Sequence, residues 1–389
     1  MKKICILTAT RAEYGLLRPI IKKLSAVPQF DVRVAVTGAH LSPEFGLTYK
    51  EIEKDEVEID VKIDMLLSSD TPAAITKSMG VAMISFADYF DRLKPDLLLV
   101  LGDRYETLAV CIAAMNHRIP IAHLYGGETT EGAVDESIRH SITKMSYLHF
   151  TSTEIYRKRV IQLGEDPSRV FCVGAIGIEN ILNEKLWSKD ELEQRIDFKL
   201  DRPYALVTFH PVTLEDNQSG IQFQNLLEVC KQYTDMYFIF TKANADANGR
   251  IINKLIDEYV DTNKNAIAFT SLGTKGYLSA MKYCSFVIGN SSSGIIEAPS
   301  FKIPTINIGD RQKGRIQAES VINCEPEIED IKNAIELSLS RSFQEKIKNV
   351  VNPYGDGKTS DKIVSTLKEF LLNDNRISLK KEFYDLEVK

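Results

Sequence analysis

The chain has 389 residues, enough for two or three domains that each bury a core of their own. Its formal net charge of -6, with 44% hydrophobic and 26% charged residues, excludes a general nucleic-acid or membrane-surface partner, though not a local basic pocket for an anionic ligand. No apolar run approaches the roughly 20 residues of a membrane span, and the six scattered cysteines without a CxxC pair read as reduced core residues, so a soluble cytoplasmic protein is expected.

Short apolar runs alternate with segments of helical period, the pattern of a parallel sheet covered by helices on both faces. Lys3–Thr8 reads as a first strand rather than a signal peptide, Thr10–Gly15 as a turn and Leu16–Ser25 as a helix. Asp31–Thr37 is a second strand, followed by a helix near Thr48–Lys54 and a weak strand over Val57–Ile63. Asp70-Thr71-Pro72 starts a helix with proline just inside it, and Pro95 separates that helix from the strand Leu97–Leu101. A helical segment, an apolar run ending at His123 and a helix opening at Asp135 come next. Tyr147–Thr151 and Val170–Val173 are strands around the helix Glu154–Leu163.

Gly174-Ala175-Ile176-Gly177 changes the texture and places a domain boundary there, giving domains of 1–175 and 176–358. Polar helices at Ile178–Leu186 and Lys189–Ile196 lead into a second set of strands: Tyr204–Thr208, Met236–Thr241, Ala266–Thr270, Phe286–Ile288 and Thr305–Ile308. Helices fall between them, and another covers Ile328–Leu339. A last helix, Ser360–Leu372, is expected to pack back on the first domain, with a charged end beyond Asn373 that frays. The fold class expected is α/β, two Rossmann-like doubly wound parallel-sheet domains with a cleft between them.

In such sheets ligands bind at the carboxyl ends of strands, and polar clusters sit there. Leu97–Leu101 ends in Gly102-Asp103-Arg104, and the next apolar run ends in His123 and Gly126-Gly127-Glu128. Asp135 and Arg139 follow, four apart and hence on one helix face. Carboxylates whose pKa values are separated by burial and neighbours move protons to and from carbon or a leaving oxygen. Taken singly, Asp135 reads as well as a helix cap, Glu128 as a turn residue and Asp103 as a salt bridge to Arg104. Their joint placement favours catalysis.

In the second half, Gly289-Asn290-Ser291-Ser292-Ser293-Gly294 follows a strand and opens a helix, a natural anion site or a plain serine cap, with Glu297 placed to meet a ribose. Arg11 after the first strand, and Arg311 within Gly309–Arg315, are further anion candidates. His210 ends the strand Tyr204–Phe209 and is followed by Pro211; His123 is similar, whereas His40, His117 and His149 read as structural or surface. These loops describe an interdomain cleft basic enough for a diphosphate. No GxGxxG, GxxxxGK[ST] or HExxH pattern occurs, so NAD, ATP and a metal are not indicated.

These motifs, in this order, resemble the UDP-N-acetylglucosamine 2-epimerases, most closely the hydrolysing branch of sialic-acid pathways. The matching pieces are Thr10-Arg11-Ala12-Glu13-Tyr14, Gly102-Asp103-Arg104, Gly126-Gly127-Glu128, Asp135–His140, Phe209–Thr213, Gly289–Gly294 with Glu297, and Asn307–Gln312. One departure is Gly15, where the mammalian member of the family has serine. The resemblance implies a fold like the GT-B glycosyltransferases, with UDP held mainly by the second domain through Ser291, Ser292, Glu297 and Arg311, assisted by Arg11. It implies that Asp103, Glu128 and Asp135 act at the sugar with His210, Arg104 and Arg139 alongside. UDP would be eliminated to a 2-acetamidoglucal, and water added with inversion at C2 to release N-acetylmannosamine. No cofactor is implied, and a homodimer or homotetramer is. The nearest rival is a 2-epimerase of UDP-2,4-diacetamido-2,4,6-trideoxyglucose, as in legionaminic-acid pathways; a GT-B glycosyltransferase and a non-catalytic nucleotide-sugar sensor stand further off.

Overall fold

The short apolar runs form parallel strands because helices on both sides bury both of their faces. The computed structural model describes residues 1–67, 71–129, 134–210, 218–242, 249–373 and 378–386. The chain divides into two compact units, Met1–Asn180 with Tyr354–Lys389, and Ile181–Pro353.

Among the described residues, the first unit holds a seven-stranded parallel sheet. Its strands are β1 (Lys2–Thr8), β2 (Phe30–Thr37), β3 (Ile59–Ile63), β4 (Leu97–Leu101), β5 (Ile121–Leu124), β6 (Leu148–Thr151) and β7 (Val170–Cys172), in the order β3-β2-β1-β4-β5-β6-β7. β4 and β5 are buried along their whole length, as strands covered on both faces must be. The strand order reverses between β1 and β4, so the turns after Thr8 and Leu101 flank the switch point where such sheets open a crevice.

One face of this sheet packs on the helices Arg11–Ser25 and Thr359–Leu372, the other on Pro72–Leu93 and Tyr105–Asn116. Thr359–Leu372 places Ile363, Val364, Leu367 and Leu371 in the first of these layers. Its start is held by Glu179, which accepts from the Ser360 amide at 2.6 Å and from the Ser360 hydroxyl.

Among the described residues, the second unit holds a six-stranded parallel sheet: β8 (Tyr204–Thr208), β9 (Tyr237–Thr241), β10 (Ala266–Phe269), β11 (Phe286–Gly289), β12 (Thr305–Ile308) and β13 (Val321–Cys324), ordered β10-β9-β8-β11-β12-β13. Its switch point lies between β8 and β11, after Thr208 and Gly289.

Three elements differ from the sequence expectation. The first helix begins at Arg11 rather than Leu16, because Thr10 and Glu13 form a capping box: Thr10 Oγ1 accepts from the Glu13 amide, and Glu13 returns to the Thr10 amide. Gly15 lies inside this helix, not in a turn. β13 was not expected, since Val321-Ile322-Asn323-Cys324 buries only Ile322 well and shows no apolar run. The short helix Arg341–Ile347 was not expected either; Ser340 caps it by accepting from the Phe343 amide.

Candidate active site

In the first unit two of the candidate residues, Asp103 and Glu128, meet on a third, the buried Arg139. β4 ends at Leu101, and Gly102 turns the chain at φ +80° before Asp103. The Asp103 carboxylate is paired with Nη2 of Arg139, a residue only 3% exposed on the helix Val134–Met145. Arg139 Nη1 donates to the Glu128 carbonyl at 2.8 Å and to Glu136 Oε2 at 2.7 Å. One guanidinium fork thus joins the turn after β4, the turn after β5 and its own helix, the use for which arginine geometry is suited.

Two pairings that the sequence left open are not formed. Asp103 does not pair with Arg104, which instead makes a two-pronged contact with Glu106 (3.1 and 2.9 Å) on the helix Tyr105–Asn116. The acid that meets Arg139 from the same helix is Glu136, three residues away, rather than Asp135. The Asp135 side chain is exposed and has no hydrogen bond or ion pair among the described residues. Inward rotation of Arg139 toward the strand ends selects the half-buried neighbour and leaves the other to solvent.

Glu128 is held by the Ser152 hydroxyl, which donates to Oε1 at 2.6 Å from the end of β6. The turn that presents it needs glycine: Gly127 has φ +80°, and a Cβ there would lie 2.4 Å from the Tyr156 carbonyl. Tyr125, just before it, adopts φ +68°, a sparsely populated conformation for an aromatic residue, and its hydroxyl accepts from the Ile176 amide at 2.9 Å.

His123 is fully buried with Nε2 2.8 Å from the Gly102 carbonyl and Nδ1 3.2 Å from the Thr143 hydroxyl. Burial pushes its pKa down to about 3, so it is neutral and donates through Nε2. It braces the Asp103 turn against the Arg139 helix. Arg11 stands at the first position of its helix, well exposed, with Nε 3.2 Å from Glu51. Beside it, Glu13 is buried, accepts from the Ala9 and Thr10 amides at 2.7 and 3.1 Å, and is raised to about 7 chiefly by burial.

In the second unit the organiser is Asn290, 1% exposed and next to Gly289, whose φ of +136° and approach to β8 leave no room for a side chain. Asn290 Oδ1 accepts from the His210 amide at 2.7 Å and Nδ2 donates to the His210 carbonyl at 2.8 Å. Its own carbonyl accepts from Arg311 Nη1 at 3.0 Å and Gln312 Nε2 at 2.9 Å. Asn290 therefore ties His210 and Arg311 to the serine turn.

Ser291 caps the short helix Ser292–Ile296, its hydroxyl 3.0 Å from that of Ser293, which in turn lies 2.6 Å from the Tyr277 hydroxyl. The Ser292 hydroxyl has no hydrogen-bond partner among the described residues. Glu297 ends this helix half-buried, its carboxyl without a partner among the described residues; burial raises its pKa to about 7. The rest of the histidine motif, Pro211-Val212-Thr213, and Asp70 of the earlier helix start, lie outside the described residues.

Sequence reasoning missed Glu136, Glu106, Ser152, Asn290 and Tyr277 as contributors. Only Asn290 and Glu136 had a signal, standing inside motifs already singled out; the others lie in other elements and are brought in by packing.

The chain is similar to known proteins over nearly its whole length. The chain matches the family model of UDP-N-acetylglucosamine 2-epimerase over residues 22–368. A GDP/UDP-N,N'-diacetylbacillosamine 2-epimerase (hydrolyzing) from Campylobacter jejuni is 46% identical over 386 residues, 99% of each chain. The polysialic acid biosynthesis protein P7 of Escherichia coli is 41% identical, covering 99% of this chain and 98% of that one. Among solved structures, a UDP-GlcNAc 2-epimerase from Neisseria meningitidis bound to UDP-GlcNAc superposes with a TM-score of 0.81 at 21% identity, covering 95% of this chain and 100% of that one. The fold is that of the GT-B-like 2-epimerases, and the chain belongs to the UDP-N-acetylglucosamine 2-epimerase family.

Proposed function

We propose that the chain is a hydrolysing 2-epimerase of UDP-2-acetamido sugars. The observation that carries this is the meeting of the Asp103 and Glu136 carboxylates and the Glu128 backbone on buried Arg139 at the carboxyl ends of β4 and β5, in a chain of this family. The full-length likeness to a hydrolysing relative supports the hydrolytic outcome.

The reaction needs a base to take the C2 proton, departure of UDP with the C1–O electron pair, and a C1=C2 bond in the resulting glycal. Water then adds its hydroxyl to C1, while an acid delivers a proton to the opposite face of C2. The net change is UDP-sugar plus water to UDP plus the 2-epimeric sugar. Asp103, Glu128 and Asp135 carry these protons. Arg139 keeps Asp103 and the Glu128 backbone in register, and Glu106 fixes Arg104 through two of its nitrogens. From the second unit, Ser291, Ser292 and Arg311 are assigned to the diphosphate, Glu297 to a ribose hydroxyl and His210 to the sugar. Arg11 adds a further cation. The developing charge on UDP is met by arginines and hydroxyls.

Two sugars fit. UDP-N-acetylglucosamine would give N-acetylmannosamine for sialic-acid-type synthesis. UDP-2,4-diacetamido-2,4,6-trideoxyglucose is favoured by the 46% identical relative. A pocket that hydrogen-bonds a C4 hydroxyl rejects an acetamido group there, and the converse holds, so the two should differ by at least about 100-fold in kcat/KM. NMR of the reaction in D2O decides. One deuterium at C2 of a 2-epimeric product, with UDP released in equal amount, is expected from the preferred sugar and not from Asp103→Asn. UDP release that requires an added acceptor, or product without C2 deuterium, overturns the proposal.

A further inference from the structure

We propose that the C-terminal segment 378–386 clamps the helix Val134–Met145, and that Lys381 is a positioning residue for the arginine and carboxylates this helix carries. The inference rests on the proposed role of that helix in the active site.

Lys381 Nζ donates to the carbonyls of Lys144 and Ser146, at 3.0 and 2.6 Å, and to Glu165 Oε2 at 2.7 Å. An ammonium has three donors, and all three are engaged. The two carbonyls belong to the C-terminal end of the helix, where carbonyl groups lack partners within the helix and a cation is favoured. Residue 381 thus caps a helix more than 230 positions earlier in the chain.

The anchor behind Lys381 is fully buried. Glu165 is 0% exposed and also accepts from Lys144 Nζ at 2.6 Å and His149 Nε2 at 3.0 Å. Burial alone would raise its pKa, but the bonds from His149, Lys144 and Lys381 outweigh burial and hold it at about 2. Helix and tail therefore share one carboxylate. The tail is also seated by its backbone and a ring: the Tyr384 amide donates to the Gly164 carbonyl at 3.0 Å, and Phe383 lies so close on Gly164 that a Cβ there would come within 2.3 Å.

An α-helix transmits displacement along its axis, and Arg139 stands less than two turns from Lys144. A shift of about 1 Å at a catalytic group costs on the order of 100-fold in rate. Lys381 therefore acts through the helix, without touching substrate.

The test compares full-length wild type, Lys381→Met, Lys381→Arg and Phe383→Ala by hydrogen–deuterium exchange, thermal midpoint, kcat, KM and UDP affinity. In Lys381→Met, exchange over 134–146 is expected to rise at least about tenfold while 105–116 keeps its wild-type rate. The kcat should fall about tenfold or more, with KM and UDP affinity within about twofold, and Lys381→Arg should recover most of it. Phe383→Ala, which keeps the ammonium but loosens its seat, should shift both readouts less and in the same direction. It also serves if Lys381→Met does not fold. Wild-type exchange over 134–146 in Lys381→Met overturns the clamp. Faster exchange with unchanged kcat overturns the positioning role, as does a loss shared equally by 105–116. If no UDP-sugar is turned over by any variant, the proposed function fails, while the exchange experiment still reads the clamp.

Discussion

Arg139 is nearly sealed from solvent, and a cation in that position needs its acids close. Asp103 and Glu136 supply them from two directions, which orients the guanidinium toward the strand ends. Glu297 is the opposite case, a half-buried carboxyl with no partner among the described residues. Its folded pKa of about 7 exceeds the ordinary 4.5, so the penalty for ionising it is absent below about pH 4.5 and grows as pH rises to about 7. Glu297→Gln should therefore match wild type in urea unfolding at pH 4 and exceed it at pH 8, while binding UDP about tenfold more weakly by calorimetry. Equal stability at both pH values would refute the assignment. The sequence pointed to Asp103, Glu128 and Arg139 because they end or follow apolar runs. It did not reveal that Asp135 faces solvent, since positions three and four apart are both helix neighbours and only packing chooses between them.

At the level of elements, turns after strands decide where side chains can stand. Gly289 ends β11 opposite Thr208 of β8, and a Cβ there would come within 1.9 Å of the Thr208 carbonyl at a φ of +136°. Gly289→Ala should lower the stability of the second unit by at least about 3 kcal/mol, through strain and displacement of Asn290. Chemical denaturation of the variant checks this, and a loss below 1 kcal/mol would show that the turn adapts. Most strands were legible because buried parallel strands are continuous apolar runs. β13 was not, since it is a half-exposed edge strand with Asn323 in it. The Thr10–Glu13 capping box is a local signal, but Gly15 has low helix propensity and reads as a turn in the sequence although the helix runs through it.

Across the whole molecule, the first unit is discontinuous in sequence. The helix Thr359–Leu372 brings four large apolar side chains to its core, worth together roughly 6–12 kcal/mol at about 1.5–3 kcal/mol each. A domain is stable by only about 5–15 kcal/mol. A chain ending at Pro353 should therefore lose the cooperative unfolding of the first unit, and limited proteolysis should cut within 1–180 while 181–353 resists. Survival of both units in that truncation would place the stability of the first unit elsewhere. The tail beyond this helix extends the same logic, since Lys381 reaches back to Glu165.

The sequence by itself determined the class of the fold and the family. Strand and helix periodicities are local, and ordered motifs with glycine, serine and charge at strand ends survive as text. Tertiary structure alone decided which charges meet. Asp103 and Arg139 are 36 residues apart, Lys381 and Ser146 are 235 apart, and no spacing rule reaches across elements. Such contacts form when many weak apolar contacts dock one element on another, and only then do the few charged groups at the strand ends find their partners.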